Sequence, residues 1–479
     1  MLHARQPSGE PLRTLWLDGQ DPQQWRHDLL AYFNQTFTQY EQLFDCLVGE
    51  AAWYRKAIPL RHPLIFYFGH TAAFFINKLV VGRFIDQRLD AQIESVVAIG
   101  VDEMSWDDLD DSHYAWPTVE RLRAYRQAVR ERVSALIEQM PLQLPIQQDS
   151  VAWAILMGIE HERIHLETSS VLIRQLPLAQ VRPLADWPIC PHARHARQLA
   201  PVNTLLAVDG GEVRLGKRSR ELTYGWDNEY GQRQIALQPF SASRFLVSNA
   251  EFLTFVQAGG YCETRWWSEE GARWKAFANA TMPTFWVGDL AAADDLRLRL
   301  MCQEVPMPWD WPVEVNQLEA EAFCRWKAAQ TGLSIQLPCE AEWYRLRDNI
   351  REDQTDWKAA PGNINLEYWA SSCPVDQFAQ GDFYDVLGNV WQWTSTPIDG
   401  FDGFQVHPLY DDFSTPTFDG RHNLIKGGSW ISTGNLALRA SRYAFRRHFF
   451  QHAGFRYVAS SYCEPEPMPA YETDLVVSR

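Results

Sequence analysis

The segment Glu160-His161-Glu162-Arg163-Ile164-His165-Leu166-Glu167 constrains the fold more than any other stretch of the 479 residues. Histidines four apart stand one turn apart on the same face of a helix, so both imidazoles can meet one ion. Two ligands do not complete a site. The helix must therefore lie among other elements that bring a third donor to it. Read alone, His161-Glu162-x-x-His165 is the zinc-peptidase pattern, with Glu162 as the base. Read with its neighbours it is also His-x-x-x-His-x-Glu, which is open to other metals.

The flanking sequence supplies the other elements. Trp25, Leu29, Phe33, Phe37, Tyr40, Phe44 and Leu47 recur at helical spacing. Leu64 to Val81 is a second, mostly apolar helix. Pro117 opens a third, with Val119, Leu122, Tyr125, Val129, Val133, Leu136 and Met140 on one stripe. Asp149 or Ser150 caps a fourth, which Pro177 stops. Four long helices with ligands pointing inward predict a four-helix bundle over residues 20–177.

On the fourth helix, Ala154 and Gly158 precede His161, His165 and Ser169 along one face, and their small side chains leave room above the imidazoles. His70 lies in the middle of the apolar second helix. A lone histidine there reads first as a hydrogen-bonded core residue. Beside the 161/165 pair it becomes the third candidate ligand. Three neutral histidines leave several positions open, which suits Fe(II) holding substrates together with O2. A peptidase zinc more often takes two histidines and a carboxylate. Spacing alone does not choose between them. Glu160, Glu162 and Glu167 are candidates for orienting the ring N–H groups from behind.

After the bundle the texture changes. Four prolines between 177 and 191 mark a linker over 178–202. From 203 to 462, short β-like runs, glycines and many of the 21 tryptophans alternate with two expected helices, near 248–257 and 314–330. That is an irregular α+β domain, followed by an extended spacer over 463–479. The formal charge of −16 argues against a nucleic-acid partner. The eight cysteines form no C-x-x-C pair and read as reduced, mostly buried thiols. The longest apolar run, Pro63 to Ile76, is interrupted by His70 and is too short to span a bilayer. The first twenty residues lack a signal-peptide core. These features predict a cytoplasmic protein with no membrane partner.

Six strings occur in order in the second region: Gly211-Glu-Val-Arg-Leu-Gly216, Val247-Ser-Asn-Ala-Glu-Phe252, Leu337-Pro-Cys-Glu-Ala-Glu-Trp343, Asp385-Val-Leu-Gly-Asn-Val-Trp-Gln-Trp-Thr394, Lys426-Gly-Gly-Ser-Trp430 and Ala453-Gly-Phe-Arg-Tyr457. Together they resemble the formylglycine-generating-enzyme or sulfatase-modifying-factor domain, a C-type-lectin-like fold. The first region resembles the DinB-like iron-binding bundle. The pair is the layout of the sulfoxide synthases of thiol-histidine biosynthesis. Arg61-His-Pro-Leu-Ile-Phe-Tyr-Phe-Gly-His70, Gly100-Val-Asp-Glu-Met-Ser-Trp106, Met157 to Thr168 and Arg439 to His448 look like the 5-histidylcysteine sulfoxide synthases of ovothiol biosynthesis, from about residue 12 to 475.

The resemblance implies an O2-dependent non-haem Fe(II) enzyme that joins the sulfur of L-cysteine to C5 of the L-histidine imidazole and oxidises it to a sulfoxide. Its ligands would be His70, His161 and His165. Tyr410 would donate a proton or hydrogen to the reacting centre. Zwitterionic substrates need counter-charges, for which Arg442, Arg446 and Arg447, with Tyr443 beside them, are candidates. The alternative is an ergothioneine- or selenoneine-type synthase that couples hercynine at C2. There a Gln often precedes the second motif histidine; here Ile164 stands in that place, which favours free histidine. Formylglycine generation needs two cysteines late in the domain, and none lies between Cys373 and Cys463. The longer family members continue into a methyltransferase, and Tyr471 to Arg479 looks like the lead-in to one. A separate or fused methyltransferase and a downstream lyase are therefore expected partners.

Overall fold

The computed structural model describes residues 13–98, 115–348, 350 and 357–461. The Gly100–Trp106 string, Cys463 and the spacer beyond it lie outside these residues. Six helices come first: α1 (Pro22–Phe44), α2 (Ala51–Tyr54), α3 (Leu64–Val81), α4 (Ala91–Val97), α5 (Val119–Gln139) and α6 (Val151–Gln175). The four long ones are those expected from the apolar stripes. The local chemistry sets their starts. Asp21 caps α1 by accepting from the amides of Gln23 and Gln24, and Pro22 at the first position gives up only a donor that would have had no partner. Pro117 lies outside α5 rather than in its first turn. Thr118 is the cap because its hydroxyl accepts from the Arg121 amide, which proline cannot do.

Helix α6 is the axis of the molecule. Every residue from Val151 to Arg174 is buried, because α1 and α3 cover one side and the second domain covers the other. Gly158 does not leave open space above the histidines. The ring of Phe75 on α3 fills the place where its Cβ would be, so this glycine serves helix–helix approach. Helix α3 is longer than the expected apolar run. Its 18 residues, at a mean hydropathy of 1.5, would reach across a membrane by length and composition, yet 83% of it is buried inside the bundle.

The second domain holds two four-stranded sheets. One orders Leu205–Val208, Phe240–Ser243, Val458–Ala459 and Ile335–Gln336, all antiparallel. The other orders Tyr443–Arg446, His422–Lys426, Trp391–Pro397 and Ala453–Gly454, with the last pair parallel. Around them lie α7 (Asn249–Gln257), α8 (Glu269–Ala278), α9 (Gln317–Thr331) and α10 (Glu340–Arg347). The two expected helices are α7 and α9. The sequence reading missed α8 and α10, which at two to three turns carry too little periodic signal. Residues 178–202 are docked in place: Val181 bridges Leu47 beyond α1, and the Arg194 amide donates to Asp310. One apolar core runs without a break from Leu17 in the first domain to Tyr457 in the second. Seven cysteines fall in the described residues, none of them in a disulfide; six are buried and Cys262 is exposed.

Candidate metal centre

Helices α3 and α6 bring His70, His161 and His165 together. One ring nitrogen of each lies within 4.8 Å of the others, and all three residues are buried. His70 Nδ1 is 2.7 Å from the Val97 carbonyl at the end of α4, so this nitrogen donates and Nε2 keeps its lone pair. No group of the described residues hydrogen-bonds to that Nε2. The Nε2 atoms of His161 and His165 are 3.2 Å apart. The ring of Phe74 stacks on His161 at 3.6 Å and 7°, which fixes its plane.

The electrostatics keep all three imidazoles neutral. Burial, only partly opposed by the Val97 hydrogen bond, pushes His70 down to about 4. Burial and the neighbouring imidazoles of His165 and His70 depress His161 well below its ordinary value. Burial, His70 and the charge of Arg61 do the same to His165. Neutral, convergent nitrogens with an orphaned lone pair fit a divalent ion.

The cluster opens into a cavity of about 520 Å³ at the junction of the two domains. Tyr410 reaches it from the second domain. Its ring lies 5.1 Å from that of Phe74 and 6.2 Å from that of His161, with the Lys78 ammonium 4.0 Å over its face. The Tyr410 loop is tied to the bundle by His407, which bonds the Gln148 carbonyl at 3.2 Å and stacks on Trp153. Burial pushes the Lys78 ammonium down to about 8, against the pull of Asp412 and Asp411. Ile164 and Tyr443 are also on the cavity wall.

The three glutamates do not orient the histidine rings. Glu160 accepts from the Tyr32 hydroxyl at 2.7 Å and the Asn435 amide at 2.7 Å. Glu167 accepts from Trp391 Nε1 at 2.5 Å, Ser429 at 2.7 Å and Ser432 at 2.8 Å. Glu162 turns to Arg126 at 2.7 Å and Thr71 at 3.1 Å. The reason is helical geometry: a neighbour of a ligand points about 100° away from it. Glu160 and Glu167 are thereby the clamps between the domains. Two of the six strings carry partners of Glu167, Trp391 and Ser429. Gly427, at φ +100, brings the chain so close to Gln392 and Val386 that no Cβ fits, and the turn presents Ser429 to Glu167. Gly434, at φ +60, lets the Asn435 amide reach Glu160; a Cβ there would run into Glu160, Arg163 and Tyr32.

The arginine assignments divide. Arg442 is on the cavity wall, but its guanidinium is committed to Glu340 at 3.1 Å through two nitrogens and to the carbonyls of Asn228 and Asp399. It has no donor left for a substrate carboxylate. Arg447 lies on a different surface, bonded to Glu270, Asn423 and the Gly420 carbonyl. Arg446 is not on the cavity wall. Sequence reasoning overlooked Arg61 and Lys78, both buried and both on that wall. Arg61 opens a quoted string, and Lys78 is the one charge in an apolar helix; each could have been noticed on that ground.

Comparisons with known proteins agree with this architecture. Residues 192–461 match the sulfatase-modifying factor enzyme 1-like domain, and residues 32–169 match the DinB superfamily. Hercynine oxygenase of Mycolicibacterium smegmatis is 29% identical over 68% of this chain and 76% of its own length. Hercynine oxygenase of Mycolicibacterium thermoresistibile is 27% identical over 84% of this chain and 88% of its own length. Ergothioneine biosynthesis protein 1 of Schizosaccharomyces pombe is 24% identical over 86% of this chain, which spans 52% of that protein. The chain belongs to the sulfatase-modifying factor enzyme 1-like family, with a DinB-like helical domain preceding the family domain.

Proposed function

We propose that this protein is an O2-dependent, non-haem Fe(II) oxidoreductase that couples a cysteine-type thiol to a histidine-type imidazole and leaves the sulfur as a sulfoxide. The observation that carries the reading is the set of three neutral imidazoles sharing one interdomain cavity with Tyr410. His70, His161 and His165 would hold the iron, which when bound would lower the thiol pKa and supply the redox chemistry with O2.

The chain's own groups do the rest. The Val97 carbonyl holds His70 in the tautomer that offers Nε2. Phe74 fixes the plane of His161. The Tyr410 hydroxyl is the proton donor on the second-domain wall, and its loop is held by His407 against the bundle.

The names of the relatives support hercynine as the imidazole substrate. A second reading, free L-histidine giving 5-histidylcysteine sulfoxide, is favoured by the wall itself. Ile164, directly before His165, offers only alkyl surface where the resemblance associates a Gln with the trimethylated amine. The test is protein loaded with Fe(II) without O2, then given O2, L-cysteine and either L-histidine or hercynine, with products identified by mass and NMR. A coupled sulfoxide supports the proposal, and the imidazole it contains selects the reading. No O2 uptake with either would overturn it.

A further inference from the structure

Resting on that reading, we propose that Arg61 is the carboxylate anchor of the cavity, binding the α-carboxylate of an amino-acid substrate. Arg61 is 7% exposed and stands on the wall of the cavity that holds the three histidines. Its guanidinium lies 4.6 Å from the centre of the Phe449 ring. No carboxylate, carbonyl or hydroxyl of the described residues takes a hydrogen bond from it. Taking a guanidinium out of water without a counter-ion is costly, and proteins keep such groups where an anion will meet them.

The other buried cations of the cavity are already engaged. Arg442 gives its donors to Glu340 and to two carbonyls. Lys78 lies over the Tyr410 and Phe74 rings and faces Asp411 and Asp412. Arg61 alone among them offers an uncommitted planar fork, the shape that takes both oxygens of a carboxylate at once. Phe449 beneath the fork limits its swing and pre-orders it. Cysteine, histidine and hercynine all carry an α-carboxylate next to the group that must reach the histidine cluster. An anchor at Arg61 would therefore orient the substrate from its constant end.

The test is calorimetric binding to Fe(II)-loaded protein without O2, using L-cysteine, L-histidine and hercynine against the carboxyl-free cysteamine and histamine. Wild-type protein is expected to prefer the acid over its amine at least about 10-fold, the factor carried by a charge-assisted hydrogen bond. Arg61→Gln is expected to erase that preference for one pair while binding the amine as wild type does. The pair affected names the substrate Arg61 holds. If Arg61→Gln does not fold, Arg61→Lys carries the test, because the loss of the fork must still reduce the preference. A preference left intact in the folded variant overturns the assignment alone. Wild-type protein that binds none of these ligands overturns the functional reading and this inference together.

Discussion

Glu160 and Glu167 lie two turns apart on one face of α6, and His161 and His165 lie one turn apart on another. The two faces are equally buried and are built from adjacent residues, yet they are opposites in hydrogen bonding. The glutamate face meets five donors of the bundle and the second domain at 2.5–2.8 Å. The histidine face leaves His161 Nδ1 without a hydrogen-bond partner among the described residues, and so is His70 Nε2, which α3 brings to it. Buried polar groups are nearly always satisfied, so the first face reads as structure and the second as a place kept for something else. One helix thus joins the domains with one side and holds the reactive site with another.

The largest expected effects come from deleting a histidine and the adjacent Glu162, which turns away from both faces toward α5. His161→Ala is expected to abolish metal uptake, measured by elemental analysis, and O2 consumption with it. Its unfolding free energy should fall by only about 1 kcal/mol, since no protein hydrogen-bond network is lost. Glu162→Ala should do the reverse on the α5 side. It takes from the fully buried Arg126 the nearer of its two carboxylates, leaving Glu41 at 3.0 Å, and should cost about 2–3 kcal/mol in denaturant unfolding. A variant that lost metal while keeping that stability would move Glu162 back to the site.

Behind the Glu160–Asn435 contact, Glu229 accepts from the Asn435 side chain, and its pH dependence is opposite in sign to that of the depressed histidines. Burial raises the Glu229 carboxyl from 4.5 to about 7, against the pull of Lys217. With the folded value above the unfolded one, its contribution is fully present below pH 4.5 and is lost as pH rises through 7. The loss is about 3 kcal/mol over that window. Glu229→Gln should flatten this part of the stability profile; an unchanged slope would assign it to another group. The smallest structural effect belongs to Tyr410→Phe. The ring keeps its place under Lys78 and beside Phe74, so the melting temperature should hold within a degree or two. The product ratio should still shift about 10-fold from coupled sulfoxide toward simple thiol oxidation. An unaltered ratio would remove Tyr410 from the chemistry.

Much of the site was legible before any coordinates. His161 and His165 were readable because a helix has a fixed period. His70 was readable because a histidine in an apolar helix needs a partner. Tyr410 required the resemblance, since nothing in His407-Pro-Leu-Tyr410 says that the loop folds back on Trp153 and Gln148. The glutamates were misread because sequence spacing places a residue on a helix face but does not say what lies opposite that face. Arg442 was misread for the same reason: its partner Glu340 is 102 residues away.

The four long helices, the histidine pair and the order of the second-domain strings can be read from the residues alone. These depend on periodicity and on turn chemistry that act within a few residues. Which charges are consumed and which remain depends on how distant segments pack. Arg442 and Glu160 are spent on groups far along the chain, while Arg61 is left facing the cavity. That difference lies in long-range contacts, and a carboxylate or guanidinium looks the same in sequence whether its partner is the protein or a ligand.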